Sequence, residues 1–140
     1  MSYLSQVKKP TPQAPVTTIV GFAGSGKSSL AGLFPSPIFI QAENATSVFE
    51  TMPEDLQPAF FPQLPIANAK RNIKTSEVLF EQLRELMTVE HGFKTVVIDS
   101  ITALNIMFEN EVVEFDDKGA SNIGEAAGGY NKGYLVVAGM

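Results

Sequence analysis

Gly21-Phe-Ala-Gly-Ser-Gly-Lys-Ser28 has the pattern G-x-x-x-x-G-K-[ST], and each fixed residue type has a task in holding phosphate. Gly21, Gly24 and Gly26 let the backbone fold tightly, so that successive N–H groups converge on phosphate oxygens at a helix N-terminus. Lys27 can then reach the β- and γ-phosphates, and Ser28 offers a hydroxyl to Mg²⁺. The candidate nucleotide-contacting set is Gly21, Phe22, Ala23, Gly24, Ser25, Gly26, Lys27, Ser28 and Ser29. Within it, the Phe22 ring is expected to serve in packing. The competing reading is a glycine-rich turn that binds nothing.

A triphosphate site also needs a carboxylate for the metal. Asp99 ends the apolar run Val96-Val97-Ile98, so Ser28 and Asp99 are the candidate metal-holding pair. The same aspartate could instead cap a helix beginning at Ile101. The next residue is Ser100, so a base that activates water must come from elsewhere. Glu43 ends an earlier apolar segment, and ligands of open α/β sheets gather at the C-terminal ends of strands. Glu43 and Lys27 are therefore the candidate catalytic residues, with a merely solvated Glu43 as the alternative. Glu109, Glu111 and Glu114 are expected on the solvated face of a helix.

These residues need strands and helices to hold them. Val16–Val20 (VTTIV) is β-branched throughout and leads into the glycine-rich stretch, so it is expected to be a buried strand. A short helix is expected over about Lys27–Leu33, stopped by Pro35 and Pro37. Ile38–Gln41 reads as a second strand. Pro53, Pro58, Pro62 and Pro65 make residues 52–66 an irregular connection anchored by Phe60 and Phe61. Thr75 is a good N-cap for a helix to about Glu90, with Leu79, Leu83 and Leu86 on one face and Gly92 as its left-handed stop. Thr95–Asp99 is a third strand, and Ile101, Leu104, Phe108, Val112 and Phe115 recur at helical spacing. Residues 116–131 are polar and glycine-rich, expected as a mobile loop. Strand–helix–strand alternation implies an α/β fold with a parallel sheet flanked by helices.

The 140 residues fit one domain, with a flexible tail at 1–15 and the folded part at 16–140. Cysteine is absent and His91 is the sole histidine, which excludes disulfide frameworks, thiolate zinc sites and histidine-rich metal sites. Residues 1–40 carry three lysines and no acid, whereas residues 41–140 carry fifteen acidic residues against seven basic ones. Such a chain is no general nucleic-acid binder, and any DNA contact must be local. No apolar run reaches the roughly 18 residues of a membrane span, and the N-terminus lacks the apolar stretch of a secretory signal. The cytoplasm is the expected location. A small-molecule kinase would need an arginine-rich acceptor site, and only Arg71 and Arg84 exist. The guanine-reading pattern Asn-Lys-x-Asp is not matched either, because Asn131-Lys132-Gly133 is followed by Tyr134.

Together these residues resemble the RecA-like P-loop ATPases. Phe39–Asn44 (FIQAEN) is similar to that group's strand ending in a catalytic glutamate, and Val96–Leu104 (VVIDSITAL) to its Walker-B strand and following serine. More similar still are the phage-type AAA nucleotide-binding proteins related to single-strand-annealing recombinases. Their Lys-Gly-Ala and Gly-Gly-Tyr segments look like Lys118-Gly119-Ala120 and Gly128-Gly129-Tyr130. The resemblance covers about residues 16–140. It implies ATP and Mg²⁺ as ligands, with hydrolysis coupled to handling single-stranded DNA in phage recombination or replication, in the host cytoplasm. By that carry-over Lys27 and Ser28 contact phosphate and metal, Asp99 holds the metal's water shell, and Glu43 activates water. The loop around Lys118–Lys132 would lie near DNA or a neighbouring subunit of a homo-oligomer, an ordinary flexible loop being the alternative. A nucleotide-binding module without turnover is the alternative function. Tyr134–Met140 resembles the start of the family's next helix, and Leu135–Ala138 as a short strand is the alternative. The resemblance therefore also implies a C-terminally truncated chain, whose three strands leave a central gap.

Overall fold

Ile38-Phe39-Ile40 is apolar throughout, and the strand built on it has a neighbour on each edge and a core on each face. The computed structural model describes residues 3–140; Met1 and Ser2, part of the expected tail, lie outside them. β1 (Pro37–Gln41), β2 (Ala59–Phe60) and β3 (Thr95–Asp99) form one parallel sheet in the order β2-β1-β3. Pro37 pairs with Thr95, and the register runs without a break to Gln41 opposite Asp99. Among the described residues four α-helices accompany the strands: α1 (Lys27–Ala31), α2 (Thr75–Thr88), α3 (Ile101–Glu114) and α4 (Lys132–Ala138). The α/β class and its parallel sheet are as the alternation implied.

Successive side chains of a strand point to opposite faces, and β1 uses that alternation to build two cores. Ile40 packs with Ala42, Leu64, Leu79, Leu104 and Phe108, which joins β1 to α2 and α3. Phe39 packs on the other side with Ala31 and Phe49, joined by Ile19, Met52, Phe60 and Val97. The rings of Phe39, Phe49 and Phe60 form a triangle with centroids 5.1–5.6 Å apart. Phe39, Ile40 and Phe49 are fully buried, each stabilising the fold by about 1.5–3 kcal/mol through area removed from water.

Val16–Val20 is not a strand. Val16 is 95% exposed and Val20 89%, while Ile19 reaches the Phe39 core. The reason is pairing: β3 is the edge of the sheet, and among the described residues no strand lies beside it to take the N–H and C=O groups of this segment. β-branched composition alone cannot supply a ladder. The expected tail holds a short 3₁₀ turn at Tyr3–Gln6, followed by exposed chain without regular structure.

The connection expected to be irregular contains β2, and Phe61 just after it donates its N–H to Phe39 O at 2.9 Å. Pro58 and Pro62 bracket it, and without N–H groups they keep it to two residues. Phe60 is the expected anchor. The N-cap of α2 is Lys74 rather than Thr75, whose buried hydroxyl donates instead to Pro65 O at 2.8 Å. α2 ends at Thr88 with Val89 already extended, so Gly92, which lacks a positive φ, is not its stop.

Glu111 also departs from expectation. It is 3% exposed and accepts the Ser76 N–H at 2.8 Å and the Ser76 hydroxyl. A carboxylate from α3 thus satisfies the first turn of α2, where the helix dipole favours negative charge. Glu109 and Glu114 remain at or near the surface, with Glu114 accepting from Ala69 N at 3.0 Å.

Residues Leu135–Ala138 are helical and not a strand. α4 packs where Gly133 meets Ile123 and Ala126: an added Cβ would clash with the Ile123 carbonyl and sit 2.8 Å from the Ile123 side chain. Gly133→Ala is expected to lower stability by about 1–3 kcal/mol, seen as an earlier urea midpoint. Gly92→Ala, with nothing within 4 Å of the new methyl, should shift stability by less than about 0.5 kcal/mol. Equal midpoints for the two variants would contradict this packing.

Candidate functional site

The glycine-rich loop between residue 20 and α1 turns on two left-handed residues, Gly24 at φ 75° and Gly26 at φ 84°. Gly21 serves closeness instead, since a Cβ there would lie 2.5 Å from the Ser25 hydroxyl. Gly26 precedes α1 with no side-chain cap, so no capping oxygen takes up the N–H groups of the first turn. The Lys27 ammonium donates to Gly21 O at 3.0 Å and Phe22 O at 2.8 Å, bridging the loop's own carbonyls. A phosphate group approaching the loop would offer that ammonium stronger acceptors.

The Ser28 hydroxyl donates to Asp99 Oδ2 at 2.6 Å, across 71 residues of sequence. Asp99 is buried at the C-terminal end of β3. Its main-chain carbonyl accepts from Ala42 N at 2.9 Å and Glu43 N at 3.2 Å. One residue thereby joins the loop, β3 and the exit of β1. Ser100, not Asp99, caps α3, accepting the Ala103 N–H at 3.2 Å, which leaves the Asp99 carboxylate to Ser28. Glu43 stands beside Asp99 through its backbone, and its side chain is exposed.

Among the described residues no group of three or more acidic, histidine or cysteine side chains could cage a metal. The oxygen pair of Ser28 and Asp99 suits Mg²⁺ all the same, because that ion takes one or two protein oxygens and completes its shell with phosphates and water.

Phe22 is 92% exposed, so the expected packing role is absent. Ala23, Ser25 and Ser29 are exposed along the same loop and helix start. A cavity of about 560 Å³ opens elsewhere, lined by Lys74, Glu111, Phe115, Asp116 and Lys118 among others, and shares no residue with this site. The chemistry favours the loop over the cavity, since phosphate sites are built from backbone N–H groups on a surface and need no deep pocket.

A family model described as an AAA domain matches residues 13–138. The chain belongs to that AAA-domain family. No curated protein and no solved structure matches it. The match makes this an AAA, P-loop ATPase-type domain. No helix among the described residues is long and apolar enough to cross a membrane.

The loop after α3 was expected to be mobile, yet it is tied by hydrogen bonds. Asp116 accepts from Ala127 N at 2.8 Å, Lys118 N at 3.0 Å and Ala120 N at 3.1 Å. The Ala127 N–H first, then that of Ala120, hold its carboxyl below the ordinary carboxylate value. Glu125 is lowered likewise by the Ser121 hydroxyl and N–H. A depressed folded value means that the tie is complete above the ordinary value of 3.8 and is lost as pH falls below it through the folded value. Hydrogen exchange at Lys118, Ala120 and Ala127, corrected for intrinsic rates, should therefore lose protection only as pH falls below 3.8. Asp116→Ala should lose it at neutral pH. Protection unchanged in both experiments would refute the role of Asp116.

Proposed function

We propose that this AAA domain binds ATP with Mg²⁺ and hydrolyses it in support of single-stranded DNA handling, as in phage recombination or replication. The observation that carries the reading is the 2.6 Å contact of Ser28 with Asp99, which places the loop's hydroxyl and a strand-end carboxylate on one spot. The backbone N–H groups of Gly21–Ser29 would hold the phosphates, with Lys27 on the β- and γ-phosphates. Ser28 and Asp99 would hold Mg²⁺, directly or through its water shell, and the ion would neutralise phosphate charge.

The Glu43 N–H donates to the Asp99 carbonyl, and in this reading the Glu43 carboxylate would take a proton from water. The water oxygen then bonds to the γ-phosphorus as the bond to the β,γ-bridging oxygen breaks. One observation favours a second reading, a nucleotide-binding module without turnover: the exposed Glu43 side chain has no hydrogen bond among the described residues, so nothing orients it. The loop of residues 116–132 is the proposed DNA side, and self-association in the cytoplasm fits the same reading. The folded unit is proposed to be 16–140, behind a tail at 1–15.

Lys27→Ala should abolish measurable ATP binding in calorimetry, and unchanged binding would remove the loop from the site. Glu43→Gln should retain ATP binding and cut hydrolysis by about two to four orders of magnitude. Wild-type turnover by Glu43→Gln excludes the base, and a wild-type chain that binds ATP without hydrolysing it favours the module.

A further inference from the structure

Ala127, Gly128, Gly129, Tyr130 and Asn131 hold positive φ in succession, at 57°, 90°, 80°, 54° and 59°. Glycine adopts such angles freely and asparagine tolerates them, but alanine and tyrosine do so only at an energetic cost. Burial of the side chain often compensates, and here it does not. Tyr130 is 95% exposed, and its ring neither packs in a core nor makes a hydrogen bond through its hydroxyl among the described residues.

The surrounding chain holds the turn in place. Asp116 accepts the Ala127 N–H, Asn131 N donates to Gly124 O at 3.1 Å, and Lys132 N donates to Gly129 O at 3.2 Å. Beneath them Ala126 is fully buried. Strain of this kind, over-determined by its setting, concentrates where a chain must present a group in a set direction.

The charges around the ring distinguish what it could meet. The carboxylates of Asp116 and Glu125 are engaged by N–H and hydroxyl groups of the loop itself. Asp117, Lys118 and Lys132 remain exposed. The Lys118 ammonium lies 3.9 Å from where a Cβ of Gly128 would stand, and Lys132 follows Tyr130 by two residues. An outward ring with two exposed lysines near it in the chain, set against the exposed acid Asp117, has the parts a single nucleic-acid strand requires: a face for one base and cations for its phosphates.

We infer that Tyr130 is the base-stacking residue for single-stranded DNA and that Lys118 and Lys132 contact its phosphates. The inference rests on the single-strand reading above, and it names the residues that would carry it. The test is fluorescence anisotropy of a labelled oligothymidylate with the full chain, with and without ATP and Mg²⁺. Tyr130→Ala should weaken binding about 5- to 100-fold and Tyr130→Phe by less than about threefold, as for loss and retention of one stacked base. Lys118→Ala and Lys132→Ala should each reduce the slope of log affinity against log salt by about one. ATP binding by Tyr130→Ala, read by calorimetry, should match wild type.

Equal strand affinity for Tyr130→Ala and wild type overturns the inference. So does a change in oligomeric state of Tyr130→Ala in sedimentation with strand affinity intact, which would mark a protein interface, or binding of oligouridylate alone. A wild-type chain that binds ATP but no strand overturns the strand site and leaves the nucleotide reading standing. A strand site that survives while Lys27→Ala leaves ATP binding unchanged separates the two readings in the other direction.

Discussion

The hydrogen bond from the Ser28 hydroxyl to the Asp99 carboxylate couples the phosphate loop to the sheet. The loop has no paired strand leading into it, since Val16–Val20 lies outside the ladder. Its position therefore depends on α1, on the contact of Ile19 with the Phe39 core, and on Ser28 reaching the end of β3. Asp99 serves twice, with its side chain toward the loop and its carbonyl toward Ala42 and Glu43. A carboxylate so placed would have to exchange part of its bond to Ser28 for a cation, which a 2.6 Å oxygen pair can do with little movement.

What holds Asp99 there is the burial of β1. Phe39 and Ile40 face opposite ways into two cores, and the unbroken register with β3 carries Asp99 to the level of Gln41. Gln41 reinforces the other edge, its side chain donating to Phe61 O at 2.8 Å. α2 and α3 close over the Ile40 side, locked by Glu111 on the first turn of α2. A buried carboxylate is costly unless fully partnered. Here two donors from Ser76 and a helix N-terminus compensate it, and the two helices are held in one relative position.

The segment after α3 follows a different logic. Its short-range contacts are polar, Asp116 and Glu125 acting as internal acceptors, while Ile123, Ala126 and Gly133 form the small apolar contact under α4. These two carboxylates are held by hydrogen bonds from the loop itself. The stretch presents Lys118, Lys132 and Tyr130 outward beside Asp117.

Local chemistry made much of this protein legible. The glycine-lysine-serine spacing, the apolar run ending in Asp99 and the periodicity of α2 and α3 each lie within a short stretch, and the elements follow them closely. Val16–Val20 was misread because a strand exists only through a neighbour, and no local property reports whether one is there. Phe22 and Glu111 were misread for related reasons: one lacks an expected cover, and the other meets a helix terminus 35 residues away. β2 was hidden by prolines that limit it without abolishing it. The sequence by itself determined where the glycine-rich turn and the strand-end carboxylate lie, since that depends on side-chain type and on backbone freedom at glycine. Only the tertiary structure decided that Ser28 and Asp99 meet and that Tyr130 stands exposed on a left-handed turn, because pairing, burial and strain are set by contacts between segments far apart in the chain.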